Sequence, residues 1–221
     1  MMNYQHRFSD GQQCNFPVGK IVCVGRNYSA HALELNNQIP KSPLLFIKPA
    51  TSLTHLAPSF VIPTNRGEVH HELEMALLIG RQLTYASGDE TMAAICGVGL
   101  ALDLTLRDIQ SELKAKAQPW EIAKSFDGAC PVSDFVKPNI IDDIQTTDLQ
   151  LEKNGVIQQQ GNTRDMLFPI ASLLATMSEH FSLMPGDIVL TGTPAGVGPL
   201  ACGDKLLANL NNILVVSTVV I

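Results

Sequence analysis

The chain of 221 residues is 45% hydrophobic but only 16% charged, and 15 Lys/Arg against 21 Asp/Glu leave a net charge of −6. That apolar content supports one sizeable core, hence a single domain over 1–221, and the sparse charge is what a chain partly covered by a second copy would show. No Lys/Arg cluster is present to neutralise a row of phosphates, which argues against nucleic acid as a partner, and no uncharged apolar run reaches the roughly 18 residues of a membrane span.

Residues 1–17 read as an N-terminal extension, and 1–10 are polar, without the apolar core of a secretory signal. Residues 20–25 predict a buried strand ending at Gly25, 28–36 a short helix, and 43–48 a strand stopped by Pro49. Residues 71–80 predict a strand, its first half alternating polar and apolar. Asp89 is the expected cap of a helix over 90–96. Residues 97–105 predict a buried strand holding one acid, and 107–116 a helix. Gly97-Val98-Gly99 lacks the third glycine of a dinucleotide loop and sits inside that strand, so no nucleotide site is read there. Residues 148–160 predict a hairpin around Asn154-Gly155, suited to a type I′ turn. A helix is expected over 169–180 and strands over 187–191 and 204–220, the latter turning at Asn211-Asn212. Strands outnumber helices without βαβ alternation, which predicts a mainly β chain with short helices, an α+β class. Cys14, Cys23, Cys96, Cys130 and Cys202 are scattered, odd in number and without a CxxC pair, as expected of free thiols in a reducing compartment. A cytoplasmic location follows as an expectation.

Three acids carry the chemistry. Glu72 and Glu74, two apart on a predicted strand, share a face. Side by side they repel, so either water at an open edge or a cation must compensate. Asp103 interrupts Gly-Leu-Ala-Leu-Asp-Leu-Thr-Leu, where a lone buried carboxylate is costly unless paired, with Arg107 for example, or bound to a metal. Three carboxylates suit a hard cation, Mg²⁺ or Mn²⁺; Ca²⁺ could take the same oxygens in a crystal. His70 and His71 read as structural, His71 facing away from the two glutamates. His31 and Glu34, at i,i+3, share a helix face, which lets a carboxylate orient an imidazole as a general base. Lys124 is a candidate substrate cation. The glycine-rich turn over 190–198 offers backbone N–H groups to an anion, or is simply a tight loop.

Together, Gly-Arg-Asn-Tyr (25–28) with His31 and Glu34, His-Glu-Leu-Glu (71–74), Leu-Asp-Leu-Thr-Leu-Arg-Asp-Ile-Gln (102–110), Lys-Ser-Phe-Asp (124–127) and Pro-Gly-Asp-Ile-Val-Leu-Thr-Gly-Thr-Pro-Ala-Gly-Val-Gly (185–198) resemble the fumarylacetoacetate hydrolase family. The likeness runs from about residue 18 to the C-terminus and is nearest to the short single-domain acylpyruvase, oxaloacetate decarboxylase and oxaloacetate tautomerase group. It implies a mixed β-roll of that family's C-terminal-domain type, a single catalytic domain and a homodimer. It implies Mg²⁺ or Mn²⁺ on Glu72, Glu74 and Asp103, and a lid over 28–42 carrying His31 and Glu34. It places Lys124 and Gln110 at the substrate, with Arg26, Tyr28, Lys48 and Thr193 as further substrate contacts. The two-domain fumarylacetoacetases have an N-terminal domain absent from this sequence, which points away from fumarylacetoacetate as substrate.

A 2-oxo acid with a β-carbonyl can chelate such a cation through its carboxylate and 2-oxo oxygens, and the ion stabilises the enolate as a Lewis acid. Acylpyruvates and oxaloacetate are the expected substrates. The first expectation is C–C bond hydrolysis by a water activated by His31. The alternatives are oxaloacetate tautomerase or decarboxylase chemistry, or an activity like that of 2-hydroxyhepta-2,4-diene-1,7-dioate isomerase. A dicarboxylate-binding protein without turnover is the reading from another class, and both His31 and Lys124 argue against it, because binding alone needs no base.

Overall fold

The structure is a computed structural model that describes residues 4–35 and 38–221. Asn36 and Asn37 of the expected lid, and residues 1–3 of the expected N-terminal extension, lie outside the described residues.

The strand Leu73–Ile79 is buried along its whole length, which explains the unbroken apolar run after Glu74. It sits in the middle of a seven-stranded sheet of order Leu44–Lys48, Ile21–Gly25, Ile188–Leu190, Leu73–Ile79, Ile95–Leu102, Cys130–Val132, Leu53–His55. A second sheet runs Val156–Asn162, Asp148–Lys153, Lys205–Leu210, Leu214–Val220, Ser59–Phe60. A short ribbon of Gly198–Pro199, Val69–His71 and Thr105–Leu106 closes one end. With five short α-helices among the described residues, the longest Ile170–His180, this is the expected mainly β roll.

Side-chain alternation divides the core. Leu73, Met75, Leu77 and Ile79 join one apolar cluster with Leu149, Leu151, Leu173 and Met177. Ala76 and Leu78 point the other way, into a second cluster with Ile21, Cys23, Cys130, Val132 and Phe135. Tyr4 and Phe8 of the N-terminal extension pack into that second cluster. All five cysteines are free, and no helix among the described residues is long and apolar enough to cross a membrane.

Both predicted hairpins form. Asn154 and Gly155 take φ of 54° and 80°, and Asn211 and Asn212 take 46° and 58°, the left-handed values such turns require. Two boundaries differ from the prediction. The second helix spans Gly88–Ala93, with Ser87 rather than Asp89 as its cap, because Ser87 and Glu90 form a reciprocal capping box. Its predicted last residues open the strand Ile95–Leu102 instead. That strand stops before Asp103, and Glu72 likewise stands in the gap between Val69–His71 and Leu73–Ile79. The two acids therefore lie at strand breaks rather than inside strands. The breaks are adjacent: Leu73 pairs with Leu102, and Asp103 N donates to Glu72 O over 2.8 Å.

Candidate active site

At these breaks the carboxylates of Glu72, Glu74 and Asp103 each bring an oxygen within 4.8 Å of the others, and all three residues are buried. Three cations surround them. Lys124 Nζ donates to Glu72 Oε2 at 2.9 Å, Asp103 Oδ2 at 2.6 Å and Thr105 Oγ1 at 2.7 Å. Arg107 pairs with Glu72 rather than with Asp103, and also donates to Gln110 Oε1 at 2.7 Å. Lys48 Nζ lies 2.7 Å from Asp103 Oδ1, at an angle too poor for a directed hydrogen bond, and its protons go to backbone carbonyls of Leu104, Lys124 and Ala129.

The charges shape one another. Burial alone would raise the Glu72 carboxyl, but Lys124 and then Arg107 outweigh it and hold it well below the usual carboxylate range. Burial would likewise lower Lys124, and Asp103 and Glu72 reverse that, so the lysine stays a cation. Glu74 makes no ion pair among the described residues, and Lys124 acts on it only weakly. Burial, then Asp103 and Glu72, push its carboxyl well up against the pull of the Gly192 N–H, which donates to Glu74 Oε2 at 2.6 Å. Gly192 reaches it with φ of 97°, on a backbone so close to Asn27 that an added Cβ would stand 2.6 Å from Asn27 Cβ. An all-oxygen donor set, one uncompensated carboxyl and one poorly satisfied Asp103 oxygen fit a hard divalent cation.

The carboxylates open on a small cavity of about 30 Å³. Arg26, His31, Gln110, Lys124 and Thr193 line it, as do Arg107, Lys114, Phe46 and Trp120. His31 is buried, and its Nδ1 lies 3.3 Å from Glu34 Oε2, while Glu34 Oε1 accepts from Gly196 N at 2.9 Å. Glu34 thus stands behind His31 and ties the helix Ser29–Glu34 to the glycine-rich turn. Lys48 and Tyr28, two expected substrate contacts, do not line the cavity. Lys48 is wholly buried behind Asp103. Tyr28 is buried with its hydroxyl unpartnered, and burial, with Glu74 next, raises its phenol. His70 bonds Glu68 and Arg107, and His71 bonds Gln159, so neither histidine joins the carboxylates. Lys114 was not singled out in the sequence, and Arg107 only as a partner for Asp103; their signal was the Arg107, Gln110, Lys114 spacing that shares one helix face with Asp103 just ahead of it.

Lys124 has all three protons on the site's own acceptors, so its first effect is to hold the carboxylates together. Replacing it by Met in Lys124→Met should lower kcat by about 100-fold or more, since one partner of a buried charge pair is then left alone. Steady-state kinetics with saturating Mg²⁺ check this; an unchanged kcat and KM would remove the lysine from the machinery.

A β-roll that gathers three buried carboxylates, a buried histidine–carboxylate pair and a cationic wall at one strand end has the donor set to hold a divalent metal ion. The model of the fumarylacetoacetate (FAA) hydrolase C-terminal domain matches residues 20–220, and the chain belongs to that family. It is 50% identical over 204 residues, 92% of this chain and 93% of the relative, to the oxaloacetate tautomerase YcgM of Escherichia coli (strain K12). A fumarylacetoacetate hydrolase family protein from Yersinia pestis CO92 superposes with a TM-score of 0.96 at 51% identity, covering 99% of this chain and 100% of that one. A fumarylpyruvate hydrolase from Pseudomonas aeruginosa, solved with Mn²⁺ and pyruvate, superposes with a TM-score of 0.92 at 28% identity, covering 99% and 95%.

Proposed function

We propose that this protein is an oxaloacetate-type tautomerase, moving a proton between the enol and keto forms of small 2-oxo dicarboxylic acids. The observation that carries this reading is a buried base held over a cation-lined cavity: His31, oriented by Glu34, with Arg26, Arg107, Lys114 and Lys124 around the three carboxylates. C–C hydrolysis, the first expectation from sequence, needs an attacking water placed beside the substrate as well as a base. A proton shift needs only the base, and a relative 50% identical to this chain is a tautomerase.

A divalent ion held by Glu72, Glu74 and Asp103, with Mg²⁺ our choice and Mn²⁺ the alternative, would supply Lewis acidity to the 2-oxo acid end. The protein supplies the rest. With Glu34 accepting from Nδ1–H, the other ring nitrogen of His31 is left basic-faced, to take a proton from one atom of the substrate and return it to another. Lys124, Arg107 and Lys48 equal the three carboxylates in number, though they pair only with Glu72 and Asp103, so a divalent cation makes the site positive toward a dianion. Phe46 and Trp120, edge to face at 6.2 Å, and Leu35 wall the cavity against bulk water.

The second carboxylate of such a substrate has a receptor in Arg26. Its guanidinium lines the cavity without an ion pair or hydrogen bond among the described residues, on a backbone held at φ 61°. Arg26→Met should raise KM for oxaloacetate by about 10- to 100-fold, the worth of a charge-assisted hydrogen bond, and leave acetylpyruvate almost unaffected. Equal effects on both substrates would remove Arg26 from this role. The reaction itself is tested by following the ultraviolet band of enol-oxaloacetate in Mg²⁺ while measuring pyruvate. Enol loss without pyruvate supports the tautomerase; pyruvate formed in step with enol loss assigns a decarboxylase instead. We also propose a homodimer, supported by the exposed apolar stripe of Val215, Val219 and Ile221 beside Val61.

A further inference from the structure

Gln159 lies outside the cavity yet touches three of its walls. It is fully buried on the strand Val156–Asn162, whose pairing with Asp148–Lys153 slips: Leu151 opposes Gln159 and Glu152 opposes Ile157. Gln158 is thus the extra residue of a bulge, and bulges re-aim the side chains beside them. Gln159 Oε1 accepts from Leu73 N at 2.9 Å and from His71 Nδ1 at 3.0 Å. Its Nε2 donates to Thr193 Oγ1 at 2.7 Å and to Pro194 O at 2.9 Å. Every hydrogen-bonding site of the amide is engaged, and only one orientation serves, because Leu73 N must donate and Pro194 O must accept. The glycine-rich turn can lie on this amide because Gly196, at φ 98°, has no side chain; a Cβ there would stand 1.9 Å from Gln158 O.

The consequence falls on Thr193, which lines the cavity. Its hydroxyl donates to Leu73 O at 2.8 Å and accepts from Gln159. The one proton is spent on a backbone carbonyl, and one of two lone pairs on the glutamine. What remains for the cavity is a lone pair. With no amide at 159, one of the two hydrogen bonds that hold Oγ1 in this orientation is gone, and the lone pair is no longer held toward the cavity.

We propose that Gln159 is a positioning residue that fixes Thr193 Oγ1 as a hydrogen-bond acceptor toward the cavity. The site then favours ligands presenting a hydroxyl there, an enol or a 2-hydroxy acid, over ligands presenting only carbonyl or carboxylate oxygens. This deepens the tautomerase reading and rests on it for the enol: Thr193 orients the enol O–H, and His31 carries the proton.

The test uses the full chain loaded with Mg²⁺ and calorimetric titration of two probes, oxalate, which has no hydroxyl, and glycolate, which has one. Gln159→Met should weaken glycolate by about 10-fold and oxalate by less than about threefold, the worth of one hydrogen bond whose buried partner is left unsatisfied. In a Thr193→Val background the same change should cost glycolate nothing further, since the two residues act as one unit. Thr193→Ser, which keeps the hydroxyl, should preserve the wild-type preference. Should Gln159→Met not fold, Gln159→Leu removes the same donor at a similar side-chain volume and should give the same result. Equal losses for both probes, or full additivity with Thr193→Val, would overturn the proposal. A wild-type protein that interconverts no 2-oxo acid would sink the tautomerase reading, and the two probes would still judge Gln159.

Discussion

Glu74→Gln should abolish metal-dependent turnover while leaving the metal-free protein as stable as wild type, or more so. The substitution keeps the shape of the side chain and an oxygen to accept from Gly192 N, and removes one ligand charge. Changes to groups that merely support a metal ligand cost about 10- to 100-fold in affinity, so loss of a ligand should cost at least about 100-fold. The stability half follows from the sign of the shift at Glu74. Burial first, then Asp103 and Glu72, raise its carboxyl, so its ionised form opposes folding at neutral pH, and a neutral amide relieves that cost. Thermal melts with and without Mg²⁺ or Mn²⁺ separate the two effects. Wild type should gain melting temperature with metal and Glu74→Gln should not. A Glu74→Gln protein that still gains in full, or still turns over, would place the ion elsewhere.

That the same three acids were visible in the sequence has a physical reason. A carboxylate in an apolar run is a strong signal, because burial without compensation is costly. Asp103 within Leu-Ala-Leu-Asp-Leu, and Glu72 and Glu74 ahead of Met-Ala-Leu-Leu-Ile, announce themselves. The hairpins were equally legible, since Asn154-Gly155 and Asn211-Asn212 settle a left-handed turn locally. What failed to show were features decided across the sheet. The premise that Glu72 and Glu74 share a strand was wrong in detail, because the strand breaks at Glu72 to let Asp103 N bond Glu72 O. Lys48 reads as a strand end before proline, and only the fold puts it under Asp103, 55 residues away. Gln159 sits in Gln158-Gln159-Gln160, which resembles a solvated edge; a one-residue bulge chooses which of the three is buried. The sequence offers Arg107 as a partner for Asp103, yet it pairs with Glu72, a choice set by where the helix Arg107–Ala115 begins relative to the strand break.

The charge arrangement gives the site two layers with different duties. Lys48, which donates to the carbonyls of Lys124 and Ala129 as well as facing Asp103, binds the ligand end of the site to the chain around Lys124. Such buried ions cost more than they contribute to stability, so their retention speaks for a site that must hold its geometry when charge moves. His31 belongs to the other layer. It is carried on a six-residue helix that a hydrogen bond from Gly196 N to Glu34 ties to the glycine-rich turn. That helix places His31 at the cavity wall, and we propose that it lifts to admit substrate.

His31→Ala should lower tautomerase turnover by about 10²- to 10⁴-fold, the usual worth of a positioned general base. Oxalate affinity should stay nearly unchanged, because in the proposed site the ion that chelates it would be held by Glu72, Glu74 and Asp103 and not by the imidazole. The pairing of these two outcomes is what distinguishes a base from a structural histidine, which would move both. Glu34→Gln separates the two duties of Glu34. It keeps an oxygen for Gly196 N, so the helix should still close, but it takes away the carboxylate that fixes His31 Nδ1–H. Its loss in kcat should therefore be smaller, about 10-fold, with KM unchanged. In a His31→Ala background that loss should vanish, since Glu34 acts through the imidazole. Stopped-flow measurement of enol-oxaloacetate decay from about pH 6 to 9 decides the matter across the range where an imidazole titrates. Wild-type rates for His31→Ala throughout that range would take the histidine out of the proton transfer. A Glu34→Gln effect that persists without His31 would leave Glu34 only its bond to the turn.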